Sequence, residues 1–295
     1  MLAQSDCVLL LGKRLDFTLK FGAVPAFAAD SEFLQIDAEE HEIERSKRAV
    51  GSRLIATAHA DTSSAIQALI AASISAVKAD NAWRDDVRAA IQFRPDAWNH
   101  AASSIADRLH PVQALRPLQA LLDSHPDAVF ISDGGEVGQW AQACLNAPHR
   151  VINGVAGAIG AALPFALAAR IAVPDAPIIA VMGDGTFGFH NAEMDTAVRY
   201  GLPFVAIIGN DARWNAEYQI QLRDYGRERA IGCELLPARY DQVTAAFGGH
   251  VTRPEALLPA VHRAIASRKP SCINVMIEGL PAPNTEGVLI NNLAI

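Results

Sequence analysis

Basic residues are in the minority. The 295-residue chain has 25 lysines and arginines against 32 aspartates and glutamates, a formal net charge of −7. A nucleic-acid binder normally shows a basic face, so this balance argues against one. Cysteine is scarce too. The four, Cys7, Cys144, Cys233 and Cys272, include no pair at CxxC spacing. No zinc or redox motif is visible, and the thiols are expected to be reduced and mostly packed, in a cytoplasmic protein. No window approaches about eighteen consecutive apolar residues free of charge, so no membrane span is expected. The first residues, MLAQSDCVLLLGKRLDF, lack a basic n-region and have too short an apolar run for a signal peptide. Low-complexity tracts and internal repeats are missing as well.

What is present is apolar: 51% of residues are hydrophobic and 19% charged. A sizeable core can be buried, and the length suits one large or two ordinary domains. The expected organisation is a first unit over residues 1–90, a linker over 91–110 and a second unit over 111–295. In the first, CVLLLG and EFLQID read as strands of a parallel sheet. DTSSAIQALIAASISAVKA reads as a helix with Asp61 or Thr62 as N-cap and Ile66, Leu69, Ile70, Ile74 and Val77 on its apolar face. Two or three strands and two helices make this unit thin, as if incomplete. The linker, around FRPDAWNHAASS, has little periodicity.

In the second unit, PVQALRPLQALLDSH reads as an amphipathic helix. DAVFISDGG, PIIAVMGDG, LPFVAIIGND and SCINVMIEG read as strands, most running into acidic or glycine-rich loops, with helices between them. HRVINGVAGAIGAALPFALAARIA is a short strand, a glycine-rich turn and a helix of small residues, NAEMDTAVRYG a helix closed by Gly201, and RYDQVTAAFGG and PEALLPAVHRAIASR two more helices. The alternation predicts an α/β fold with a doubly wound parallel sheet, whose ligands bind at the carboxyl ends of the strands.

Two of those ends carry acids 27 residues apart, Asp184 in MGDGTFG and Asp211 in IIGND. The glycines flanking Asp184 let the backbone approach a ligand, and the following helix offers free N–H groups to an anion. An acid beside a phosphate site needs a cation between them. Magnesium, which prefers oxygen ligands, fits that role, with Asn210 or Asp211 supplying an oxygen from the neighbouring strand. The plainer reading is that Asp, Asn and Gly are simply turn residues.

The whole stretch, GDGTFGFHNAEMDTAVRYGLPFVAIIGND, resembles the thiamine diphosphate motif, GDG followed about two dozen residues later by NN. The flanking sequence, from LLLGKRLDF and FLQIDAEEHEI to SCINVMI, is similar to that of acetolactate synthase, benzaldehyde lyase and the oxalyl-CoA decarboxylase and 2-hydroxyacyl-CoA lyase group. The resemblance implies a thiamine diphosphate- and magnesium-binding component of a carbon–carbon lyase, ligase or decarboxylase acting on 2-oxo acids, acyloins or 2-hydroxyacyl-CoA. Asp184, Asp211 and the backbone carbonyl of Arg213 would hold the metal. Gly183, Gly185 and Thr186 would line the diphosphate, Ile159 would prop the cofactor rings, and Gly134, Gly135 and Glu136 would face the site. The family usually has Asn where this chain has Asp211, which adds a negative charge beside a diphosphate.

The same resemblance makes the first unit a partial Rossmann-like central domain. Relatives there hold FAD, ADP, the adenosine part of CoA, or nothing; Lys13, Arg14 and Asp37, with Gly12 behind them, are the candidates. It places the glutamate that activates the aminopyrimidine ring in a pyrimidine-binding domain outside this chain. The implied catalytic state is therefore a homodimer or tetramer, completed by a pyrimidine-domain partner subunit and acting on a small-molecule substrate. Arg213, Trp214, Asn215 and Glu217 are candidates for substrate contact or a solvated helix face. Glu193 reads as a helix brace and His190 as structural. Two rival readings remain. One is a non-catalytic fragment or assembly partner using the fold only for binding. The other is an NAD-dependent dehydrogenase, since Gly154, Gly157 and Gly160 mimic a dinucleotide fingerprint with GxxGxxG spacing.

Overall fold

In the computed structural model the apolar runs near the N-terminus become strands β1 (Cys7–Leu11) and β2 (Glu32–Asp37). With β3 (Leu54–His59) they form a parallel sheet in the order β1-β2-β3. The structure describes residues 1–72, 81–153, 157–252 and 256–283. It divides into two units, Met1–Arg94 and Pro95–Ile295.

The first unit is small in core, as the sequence leads one to expect. Leu10, Leu15, Phe27, Phe33 and Val50 are its buried apolar cluster. Arg53 lies over the Phe33 ring at 5.3 Å and donates to the Gly22 carbonyl at 2.7 Å. The expected helix spans Thr62–Ala72; Asp61 caps it, accepting from the Ser64 N–H at 2.9 Å. Ile74 and Val77 lie outside the described residues. Two helices not singled out in the sequence, Glu40–Val50 and Asn81–Gln92, complete the unit.

The second unit holds a six-stranded parallel sheet, β4 (Val129–Ser132), β5 (His149–Ile152), β6 (Ile178–Gly183), β7 (Val205–Asn210), β8 (His250–Val251) and β9 (Ser271–Met276), in the order β5-β4-β6-β7-β9-β8. Strand side chains alternate between faces, and the two cores divide on that alternation. Phe130, Ile179, Val181, Ile207 and Val275 pack with Leu115, Leu118 and Trp140 on one face. Ile131, Ala180, Met182, Ile208 and Cys272 pack with Leu163, Ala166, Phe187 and Met194 on the other. Coverage of both faces is why these strands read as continuous apolar runs.

One predicted helix is divided. PVQALRPLQALLDSH folds as Pro111–Leu115, a tight turn Arg116–Leu118 and a second helix Gln119–Ser124. Pro117 lacks the N–H that a continuous helix requires, so the ladder breaks there. The segment from Pro95 is drawn into the second unit: Trp98 meets the Trp140 ring at 5.7 Å, and Leu109 bridges Ile277. Cys144, Cys233 and Cys272 are buried and Cys7 is exposed, and none of the four forms a disulfide among the described residues. Among the described residues, no helix is long and apolar enough to cross a membrane.

Candidate functional site

The chain runs from β4 outward to β5, then crosses back to lay β6 on the other side of β4. Such a reversal leaves a crevice between the carboxyl ends of the two central strands. A cavity of about 240 Å³ occupies that position. The loops after β4, β5, β6 and β7 all reach it. They bring Gly134, Gly135 and Glu136 together with Asn153 and Ile159, with the run Gly183 to Thr186, and with Asp211, Arg213, Trp214, Asn215 and Glu217.

Asp184 opens the helix Asp184–His190, with Gly183 as N-cap, and is 1% exposed. Asp211 follows β7 and is 4% exposed. The Oδ2 atom of each is buried and meets no hydrogen-bond donor. Burial pushes the Asp184 carboxyl up to about 6, while the backbone N–H groups of Gly185, Arg213 and Ala212 pull the other way. Burial and then the Asp184 charge push Asp211 up to about 7, against the opposing pull of Arg213 and Arg108. Two buried carboxylates, each with a bare oxygen, the charge of Asp184 raising the cost of ionising Asp211, form a natural seat for a hard divalent cation. Among the described residues no cluster of three or more His, Cys, Asp or Glu side chains offers a metal seat. A cation here would therefore complete its shell with backbone, water or phosphate oxygens.

The loop that carries Asp211 is held against its preference. Ala212 sits in the left-handed region at φ +59°, where a side chain is strained. Its N–H donates to Asn210 Oδ1 at 3.1 Å. Asn210 also donates from Nδ2 to the Ala238 carbonyl and to Asn274 Oδ1. Asn210 is therefore absent from the cavity wall; successive strand residues face opposite sides, and here Asp211 takes the site side. Arg108 secures the same loop, donating to the carbonyls of Asp211 and Ile277.

Glycine at 134 and 185 is a matter of space. A Cβ on Gly134 would lie 2.7 Å from Ile159 Cγ2 and from Asn153 Nδ2; one on Gly185 would lie 2.6 Å from the Trp214 ring. The backbone of both loops thus meets side chains on the cavity wall, leaving a cradle that a diphosphate fits and that added side chains would displace. Thr186 spends its proton on the Gly183 carbonyl at 2.8 Å and keeps its lone pairs. Glu136 accepts the Ala282 N–H. Burial raises its proton affinity, that bond counters it, and the nearby Glu217 charge adds to the rise.

His190 and Glu193 are absent from the cavity lining. His190 Nδ1 bonds the Gly160 carbonyl at 2.8 Å. Glu193 lies in the first turn of the helix Glu193–Tyr200. Gly157 lines the cavity and Gly160 does not, and Gly154 lies outside the described residues. In the first unit Lys13 pairs with Asp16, Arg14 with Glu42, and Asp37 accepts from the Glu39 N–H. Gly12 packs on Thr62.

Asp133 was given no role in the sequence reading, yet it organises the crevice. It is fully buried and accepts the N–H groups of Gly134, Gly160 and Ala162 at 2.7 to 3.1 Å. One side chain thereby ties the end of β4 to the loop of Ile159. The rule that flagged Asp184, an acid closing an apolar strand, points equally to Asp133. Asn153, directly after β5, lines the cavity and was likewise given no role in the sequence reading.

Residues 133–275 match the family described as thiamine pyrophosphate enzyme, C-terminal TPP binding domain. A probable acetolactate synthase of Mycobacterium bovis is 32% identical over 286 residues, covering 94% of this chain and 49% of that protein. The oxalyl-CoA decarboxylase of Escherichia coli is 29% identical over 299 residues, covering 99% and 51%. The chain thus spans about half the length of the curated relatives it matches. A solved structure, the thiamine diphosphate-dependent 4-hydroxybenzoylformate decarboxylase of Rhodococcus jostii RHA1, shares the fold at a TM-score of 0.72 and 18% identity, over 92% of this chain and 49% of that one. The crevice between β4 and β6 therefore falls inside the segment, residues 133–275, that is similar to the C-terminal TPP binding domain of thiamine pyrophosphate enzymes.

Proposed function

We propose that this chain is the diphosphate- and magnesium-binding component of a thiamine diphosphate-dependent carbon–carbon lyase, ligase or decarboxylase. Its substrates would be 2-oxo acids, acyloins or 2-hydroxyacyl-CoA, the classes acted on by such enzymes. The observation that carries the proposal is the pair of orphaned oxygens, Asp184 Oδ2 and Asp211 Oδ2, in a crevice at the sheet's switch point. In this reading Asp184, Asp211 and the Arg213 carbonyl hold the cation, and Gly183, Gly185 and Thr186 line the diphosphate. Gly134, Gly135 and Glu136 form the opposite wall, and Ile159 supports the ring system. When bound, thiamine diphosphate supplies a carbon nucleophile and an electron sink for making or breaking a carbon–carbon bond. The protein excludes water, fixes orientation and holds charge.

The chain would work in a dimer or tetramer, with a pyrimidine-binding domain in a partner subunit contributing the activating glutamate. Calorimetric titration of the chain with thiamine diphosphate, with and without Mg²⁺, tests the binding half. Heat that requires Mg²⁺ and vanishes in Asp184→Ala supports it. Binding indifferent to Mg²⁺, or unchanged by the substitution, removes the metal assignment.

A further inference from the structure

A second cavity, of about 530 Å³, lies behind the metal loop. It shares only Asp211 and Arg213 with the first, so the segment Asp211 to Arg213 is the wall between them. Its lining includes three arginines, Arg108, Arg213 and Arg227. Arg108 is occupied by the carbonyls of Asp211 and Ile277. Arg213 differs: its guanidinium lies over the Tyr218 ring at 4.1 Å, and its Nε is buried with no acceptor. Arg227, on the short turn Arg227–Arg229, makes no side-chain hydrogen bond or ion pair among the described residues. Buried donors are normally satisfied, and one left bare at a cavity wall is a donor in want of an acceptor.

Guanidinium groups recognise carboxylates and phosphates through paired N–H donors. The rest of the lining chooses between those two. Glu234 and Glu278 share the cavity, and their charges repel a dianion more than a monoanion. Ile105, Leu222 and Leu235 supply apolar wall, which suits a hydrocarbon body and gives inorganic phosphate nothing to bury. We propose that this cavity binds an organic monocarboxylate, its head held by Arg213 and Arg227 and its short apolar chain against Ile105, Leu222 and Leu235. The proposal does not depend on the cofactor reading, because the site lies outside the crevice and its test contains neither metal nor thiamine diphosphate.

The test is saturation-transfer difference NMR and calorimetry on the whole chain in metal-free buffer. The probes are 4-methylpentanoate, its neutral amide and inorganic phosphate. The expected result is carboxylate binding that exceeds that of the amide and of phosphate, with transfer strongest at the methyl protons. Arg227→Gln should weaken it by at least about tenfold, the loss of one charge-assisted pair. Arg227 is exposed, so this variant is expected to fold; an unchanged thermal melt checks that it does. Leu235→Glu, also expected to keep the fold, should weaken it similarly. Absence of carboxylate binding, equal binding of the amide, tighter binding of phosphate, or indifference to both substitutions would each overturn the proposal.

Discussion

Asp184 and Asp211 face one crevice with one bare carboxylate oxygen each, and the charge of Asp184 makes Asp211 harder to ionise. Both groups hold their protons more tightly in the folded chain than the ordinary 3.8. Their stabilising contribution is therefore complete below about pH 4 and is lost as pH rises through about 6 to 7. In metal-free buffer, Asp211→Asn should be more stable than the parent at pH 8, by about 2–4 kcal/mol, with the gap narrowing as pH falls and closing near pH 4. Urea unfolding at the two pH values, in chelator, checks this. Adding Mg²⁺ at pH 8 should raise the parent's midpoint and leave the variant's less changed. A parent–variant difference that does not depend on pH would show that the pair does not titrate in this range.

Asp133 makes a separate prediction about scaffolding. Its carboxylate is the acceptor for three backbone N–H groups from two loops. Asp133→Ala leaves those donors buried and bare, at a cost of about 2–4 kcal/mol. The urea midpoint should fall accordingly. Cofactor affinity should fall as well, since the Ile159 loop loses its tie.

Gly185→Ala should separate site geometry from stability. The new methyl meets the Trp214 ring at 2.6 Å, so the ring, which is only half-buried, must move. The expected outcome is a loss of thiamine diphosphate affinity of about tenfold, near 1.4 kcal/mol, with little change in melting temperature. Calorimetric titration beside a thermal melt reads both quantities. A large drop in melting temperature with unchanged affinity would place Gly185 in the scaffold instead.

Glu136 offers a test within the crevice wall. Its carboxylate is raised by burial and by Glu217, and accepts the Ala282 N–H. Glu136→Gln keeps an acceptor for that N–H and removes a negative charge from beside the diphosphate seat. Affinity for thiamine diphosphate with Mg²⁺ should rise, by about threefold, as a like-charge repulsion is relieved. Titration over a series of rising pH values shows it, since the gain should grow as the acid ionises.

The second sheet was legible because its strands are buried on both faces, so β4, β6, β7 and β9 announce themselves as apolar runs. β3 was not. Nearly all of its residues are exposed, and without a buried face its sequence carries no alternation to read. The break at Pro117 was readable in principle, but the apolar spacing continues on both sides of it and hid the interruption. At the site, residue type and strand-end position located Asp184 and Asp211 together with the glycines. Side-chain direction was beyond reach of the same signals. Asn210 and Asp211 are neighbours of similar shape, and only strand register shows that the first ties the loop to Ala238 and Asn274 while the second enters the crevice. Asp133 and Arg108 act through backbone groups distant in sequence, which composition and spacing do not encode.

The strand order has a kinetic corollary. The crevice needs β4 between β5 and β6, so its walls come from chain segments that meet only after two crossovers have closed. Contacts of such long sequence separation form late. The 29-residue stretch from Gly183 to Asp211, though it holds both acids, should thus have no affinity for a metal diphosphate as an isolated peptide. A ligand that recognises only the finished crevice also draws the folding equilibrium toward it. Cells or refolding mixtures supplied with the ligand would then accumulate more of the native chain, whatever its rate of turnover.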